Sequence, residues 1–183
     1  MRKITVFNNI TLDGYFTDAN GDMSWAYNRS NDPEWDAFVN GNAKGESVLL
    51  FGRITYEMMA GYWPTPMAAE QNPELAKRMN KLQKIVVSNT LDKVSWENTA
   101  LIHDIADIQR IKNEPGNNIT ILGSGSIVSQ LTKEGLIDEY QLVVNPFILG
   151  KGRTMFDSSL PVKLIQTRAF ANGNVLLSYV KHT

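Results

Sequence analysis

The chain has 183 residues, 43% hydrophobic and 20% charged, with 18 Lys and Arg against 19 Asp and Glu for a formal net charge of −1. This is the composition of an ordinary globular protein, which excludes disorder of the whole chain, and the balanced charge provides no basic surface for nucleic acid. With no cysteine, thiol catalysis, Cys-based zinc sites and disulfides are excluded, and no apolar run approaches the ~18 residues needed to span a membrane.

The opening MRKITVFNN has too short an apolar run for a secretory leader, so a cytoplasmic protein is expected, with one domain over residues 1–183 and neither nucleic acid nor membrane as partner. Residues 3–7 predict the first strand, ended by the turn residues Leu12-Asp13-Gly14. Residues 17–31 are polar, with Trp25 and Tyr27 embedded, and read as a long loop of the kind that often binds ligands. Asp32-Pro33 reads as a helix N-cap and first helical position, and Trp35, Phe38, Val39 and Ala43 follow at helical spacing. Residues 47–51 predict a buried strand that turns at Gly52 into a helix to about residue 61. Asn72-Pro73 opens a helix to about residue 81, and residues 84–88 predict the next strand. A short strand is expected near Leu101, then a helix capped by Asp104 and running to about Lys112, and a turn at Glu114-Pro115-Gly116. The strand at 119–122 runs into Gly123-Ser124-Gly125-Ser126, then into a helix with Ile127, Val128 and Leu131 on its apolar side. Residues 137–145 alternate as a strand, and Asn172-Gly173 joins two last strands, 162–170 and 174–181, as a hairpin. The alternation of strands and helices predicts an α/β fold, with a mixed, mostly parallel sheet and a C-terminal antiparallel hairpin.

In such a sheet, ligands bind beyond the carboxyl ends of the strands. Three strand ends carry suitable residues. At the first, Gly52 permits a tight turn, the following helix offers free N–H groups, Arg53 can grip a phosphate with its forked cation, and Thr55 adds a hydroxyl. At the second, Ser88, Asn89 and Thr90 can hydrogen-bond a phosphate or ribose. At the third, Gly123, Ser124, Gly125, Ser126 and Ile127 form a glycine turn into a helix, able to wrap a pyrophosphate. Each motif alone reads equally well as a plain turn; together they meet the need of a ligand with several phosphates.

Acid–base candidates are fewer. His103 and His182 are the only histidines, and they do not stand at metal-ligand spacing, so a His-rich metal site is unsupported and no metal is expected. Asp13 reads as a turn former. Asp36 falls about 100° from Trp35 on a helical wheel, at the border of the apolar face, where a carboxyl can line a cleft and donate a proton or simply be solvated. Trp25, Tyr27, Tyr56, Tyr62 and Trp63 could wall a flat heterocycle or belong to the core.

The segments ITLDGYF (10–16), LLFGRITYEMMAGYW (49–63), KIVVSNTL (84–91), ILGSGSIVSQL (121–131) and GLIDEYQLVVNPFILGKGRTMF (135–156), with the C-terminal hairpin, resemble the dihydrofolate-reductase-like superfamily in this order. The chain is most similar to free-standing relatives of the reductase domain of the bifunctional riboflavin-biosynthesis deaminase–reductase. The resemblance implies an NADPH-dependent reductase acting on a small heterocyclic or carbonyl substrate. It implies cofactor phosphates at Gly52, Arg53 and Thr55, the adenosine 2′-phosphate near Ser88, Asn89 and Thr90, and the pyrophosphate at Gly123 to Ile127. It also implies a proton-relay role for Asp36, sixteen residues before Gly52 as in dihydrofolate reductase, and suggests a homodimer. Three positions depart from the pattern. Gly123-Ser124 stands where dihydrofolate reductases have a Gly-Gly pair joined by a cis peptide. Leu122-Gly123 stands where the riboflavin reductases have a Glu before the turn. Asp32-Pro33-Glu34-Trp35-Asp36 replaces basic residues of their early helix. The rival readings are a dihydrofolate or pterin reductase and a non-catalytic nucleotide-binding protein.

Overall fold

A computed structural model of the chain describes residues 1–26, 32–42 and 45–182. Tyr27 and Ala43, expected in the long loop and on the first helix, lie outside these. Eight strands form one sheet in the order β4-β3-β2-β5-β1-β6-β8-β7. They are β1 (Ile4–Thr11), β2 (Val48–Gly52), β3 (Lys84–Val87), β4 (Thr99–Ile102), β5 (Ile119–Leu122), β6 (Glu139–Asn145), β7 (Val162–Ala169) and β8 (Val175–Lys181). The first six run parallel, and β8 and β7 complete the sheet antiparallel.

The central strands are buried on both faces, as their unbroken apolar runs require. In β2, Val48 and Leu50 enter the core on one face, while Leu49 and Phe51 enter a second core on the other. Helix α6 (Gly125–Lys133) inserts Ile127, Val128 and Leu131 into the first core. Helices α2 (Arg53–Tyr62) and α4 (Pro73–Lys81) cover the opposite face with Tyr56 and Met79. Complete burial of a side chain such as Phe51 or Leu50 contributes about 1.5–3 kcal/mol.

Helix α1 (Pro33–Asn42) begins as expected: Asp32 accepts the N–H groups of Glu34 and Trp35 at 3.0 and 3.1 Å. Its other carboxylate oxygen accepts the N–H of Asn172 at 3.0 Å, which ties the helix to the β7–β8 turn. Backbone N–H groups, Trp35's foremost, hold the Asp32 carboxyl below its usual pKa. Trp35 and Phe38 then pack against Phe170.

Three elements differ from expectation. β1 runs on to Thr11, because the polar groups of Asn8 and Asn9 find partners inside the fold. Helix α3 (Pro66–Gln71) was not anticipated, although Thr65-Pro66 repeats the cap-then-proline signal and the Thr65 hydroxyl accepts the Ala68 N–H at 3.2 Å. Helix α5 (Asp107–Asn113) starts two residues later than a cap at Asp104 implies, since Asp104 closes a turn onto the Ala106 N–H at 2.9 Å. Among the described residues no helix is long and apolar enough to cross a membrane.

Candidate active site

The sheet order makes β3, β2 and β5 neighbours, so the three turns singled out in the sequence leave a single edge of the sheet. Gly52 ends β2 as the N-cap of α2, and its N–H donates to the Ser124 hydroxyl at 2.5 Å. Gly123 and Ser124 both take positive φ, +65° and +59°, and no peptide bond among the described residues is cis. The Ser124 N–H and hydroxyl each reach the Thr55 Oγ1 at 3.1 Å. Asn8 on β1 completes the knot: its Oδ1 accepts the Gly123 N–H at 2.6 Å and its Nδ2 donates to the Gly123 carbonyl at 3.3 Å. Glycine is needed at 123 for its φ, and because a Cβ there would lie 2.8 Å from Thr55.

This knot sets two helix N-termini side by side. Neither α2 nor α6 has a side-chain cap, and the Val128 N–H is bonded back to the Ser124 carbonyl at 3.0 Å, leaving the first-turn N–H groups of α6 without helical partners. Such paired termini present free donors and positive dipole ends to an anion. Ser126 is exposed beside them, while Ile127 is buried against the core. Arg53 is exposed and pairs with Glu57 one turn along at 3.0 Å. At the third turn Ser88 is buried, and its hydroxyl accepts the N–H groups of Thr90 and Leu91 at 3.2 and 3.1 Å. It shapes the turn, while Asn89 and Thr90 stand exposed. The exposed His103 brings its Nδ1 to the Ser88 carbonyl at 2.7 Å.

Next to the knot, between the sheet and helices α1, α2 and α4, lies a cavity of about 470 Å³. Its floor includes Thr5, Phe7 and Asn9 of β1, Thr120 and Leu122 of β5, and Gln141 of β6. Val39 and Asn42 of α1, Met58 and Met59 of α2 and Trp63 at the C-cap of α2 form walls, and Met23 and Ala26 reach it from the long loop. Thr55 and Gly123 belong both to this cavity and to the knot. Among the described lining residues there is no carboxylate, histidine, lysine or arginine.

Asp36 is exposed and is not a lining residue, because α1 turns Val39 and Asn42 to the cavity instead. Of the expected aromatic wall, Trp63 lines the cavity. Tyr56 is core, its hydroxyl accepting the Ser95 and Trp96 N–H groups, Tyr62 bonds Gln71, and Trp25 stacks on Phe147. Asp13 is the turn former expected: it accepts the N–H groups of Leu149 and Gly150 at 3.1 and 2.7 Å. The Thr11 hydroxyl and these N–H groups keep its carboxyl below the usual range. Asn8, Asn9 and Gln141 were not singled out from the sequence. Their signal was a polar side chain inside a strand with neighbours on both sides.

Phosphate groups fit this edge. Among the described residues it offers helix N–H groups with no side-chain cap and an adjacent guanidinium.

The family model described as the RibD C-terminal domain matches residues 2–176. The Bacillus subtilis (strain 168) protein YyaP, itself uncharacterized, is 28% identical over 97% of this chain and 94% of its own length. YwjB of the same organism, also uncharacterized, is 27% identical over 98% of both chains. Among solved structures, a protein of Shewanella sp. PV-4 described provisionally as a riboflavin biosynthesis protein aligns with a TM-score of 0.75 and 25% identity over 99% of both chains. Dihydrofolate reductase from Enterococcus faecalis, solved with NADP(H), aligns with a TM-score of 0.66 at 14% identity over 99% of this chain and 97% of its own, a likeness of fold.

Proposed function

We propose, from the premise that this chain belongs to the RibD C-terminal domain family, that it is an NADPH-dependent reductase of a small heterocyclic or carbonyl substrate. The observation that carries this reading is the convergence of two uncapped helix N-termini beside a largely apolar cavity. NADPH, when bound, supplies the hydride. The chain's own part is to bind, orient and exclude water. Gly52, Ser124 and Thr55 hold the two N-termini in register, so their N–H groups face phosphate without rearrangement. Arg53 exchanges its exposed pair with Glu57, worth about 0–1 kcal/mol, for a charge-assisted contact. Asn89 and Thr90 offer further polar groups at the neighbouring turn, whose shape Ser88 fixes. Met58, Met59 and Leu122 give the substrate an apolar wall.

The cavity has no carboxylate among its described lining residues, so it holds a counterpart of neither the helix carboxylate of dihydrofolate reductases nor the Glu of the riboflavin reductases, and the substrate panel below distinguishes the two. A homodimer is part of this reading. Strand β7 is exposed along nearly its whole length and presents Val162, Leu164 and Ile165 as large exposed aliphatic residues, an unpaired edge that a second copy can cover.

The test is NADPH binding, then NADPH oxidation against aminopyrimidines, pterins and folates. Arg53→Ala is expected to weaken NADPH by tenfold or more, the loss of a hydrogen bond to a charged group of about 1.5–3 kcal/mol. Unchanged affinity discards the phosphate contact. A working proton donor contributes ~10²–10⁴-fold, so the retained turnover expected of Asp36→Asn excludes a relay through that carboxyl. Tight NADPH binding without oxidation on any substrate favours a non-catalytic nucleotide binder.

A further inference from the structure

The cavity floor carries two primary amides whose orientations are set by their neighbours. The buried Asn145 donates from Nδ2 to the carbonyls of Ile10 at 3.3 Å and Val143 at 3.1 Å, groups that only accept. The Asn9 atom 3.1 Å from the same Nδ2 is therefore the oxygen, Oδ1. Turning the Asn9 amide over would set two NH₂ groups against each other. Gln141 places its Nε2 2.8 Å from the Glu139 carboxylate, again an acceptor. What remains is an NH₂ on Asn9 and a carbonyl oxygen on Gln141, neither with a partner among the described residues.

The two residues share one face of the sheet. Asn9 pairs with Val143 and Phe7 pairs with Gln141, which makes Asn9 and Gln141 diagonal neighbours across β1 and β6. Around them the cavity is largely apolar and contains no ionisable side chain among its described lining residues. An oriented donor beside an oriented acceptor in such a setting matches a ligand edge with C=O next to N–H.

We infer that Asn9 and Gln141 are the specificity-determining pair of the reductase proposed above, reading the neutral lactam edge of a flat ring. Asn9 donates to the ring carbonyl and Gln141 accepts the ring N–H. Asn145 and Glu139 are positioning residues that act through them. The inference rests on the reductase reading for the identity of the reaction, but it concerns a different surface from the phosphate edge, so the two can fail separately.

The probes are lumazine and its ring-N-dimethylated analogue, which keeps both carbonyls and lacks both ring N–H groups. Binding is measured by calorimetry on the whole chain, free and saturated with NADP⁺. A site built to pair an N–H rejects an analogue without it, so lumazine is expected to bind at least ~10-fold tighter than the dimethyl form. Gln141→Met is expected to bring the two ligands within about twofold, since the acceptor is gone. Asn9→Asp keeps the Asn145 bond but replaces the donor with an acceptor, and is expected to weaken lumazine at least ~10-fold. NADPH affinity and thermal unfolding serve as fold controls in both variants. Equal affinity for the two ligands, no lumazine binding, or discrimination that survives in a folded Gln141→Met overturns the inference. Lumazine discrimination in a protein that does not bind NADPH would retain the edge reading and remove the reductase one.

Discussion

Ser124 ties together the turns at the carboxyl edge of the sheet. Its left-handed backbone costs a non-glycine residue roughly 1–2 kcal/mol, and its hydroxyl repays this by accepting the Gly52 N–H and bonding Thr55. Ser124→Ala keeps the backbone cost and strips the partner from the Gly52 N–H, so a loss of about 1–3 kcal/mol is expected in urea unfolding. Ser124→Gly loses the same bonds but sheds the strain, and is expected to be about 1 kcal/mol more stable than the alanine variant. The reverse order would show that the left-handed backbone at 124 carries no strain for glycine to relieve. The sequence marks Ser124 as part of a glycine turn and nothing more, because its partners come from 69 and 72 residues away. Asn8 was illegible for the same reason, with its partner 115 residues distant. For Asp36 a helical wheel sets the residue near the apolar border, but which part of that border meets a cavity depends on how α1 is docked, and the docked helix turns Val39 and Asn42 there.

At the scale of elements, a single lysine fastens the connections on the far side of the sheet. Lys84 opens β3 and is buried, its ammonium donating to the carbonyls of Asn80, Leu82 and Glu97 at 3.1, 2.6 and 3.1 Å and lying 4.3 Å from the centre of the Trp96 ring. It thus holds together the end of α4, the start of β3 and the approach to β4. Burial pushes this ammonium down to about 8, against some upward pull from Glu97. The folded chain therefore gives up the proton before the unfolded chain does. Between about 8 and the ordinary value of 10.5 the unfolded state binds more protons, so this residue's contribution to stability rises with pH across that window. The stability of wild type relative to Lys84→Met, from urea midpoints, is expected to increase from pH 8 to pH 10. A flat difference would show that Lys84 titrates normally. The strand itself was legible, since KIVVS is apolar and bounded by turns. The role of its first residue was not, because a lysine at a strand start reads as solvated until its carbonyl partners are known.

For the whole molecule, strand alternation and the Asn172-Gly173 turn carried the architecture, and the strand order decided what it meant for function. Nothing in a linear reading orders β3, β2 and β5 as neighbours; the order arises from which crossovers bury which faces. The cavity was equally hidden, since it is bounded by residues as distant as Thr5 and Gln141. At this scale the proposed homodimer is testable. Sedimentation is expected to give twice 20.5 kDa for wild type and 20.5 kDa for Leu164→Lys, which places a charge on the exposed β7 edge. A wild-type monomer at micromolar concentration removes the dimer.

Met23, Met58, Met59 and Met79 all border the cavity. Thioether side chains are unbranched and polarizable, and re-pack around different outlines at little cost. An enclosure padded in this way is a poor gauge of shape, so in the proposed reductase discrimination among ring compounds would fall to the fixed polar contacts beneath it. A chain built so would tolerate bulky ring substituents while remaining strict about the hydrogen-bonding edge, and a broad family of compounds could pass through it on that single criterion.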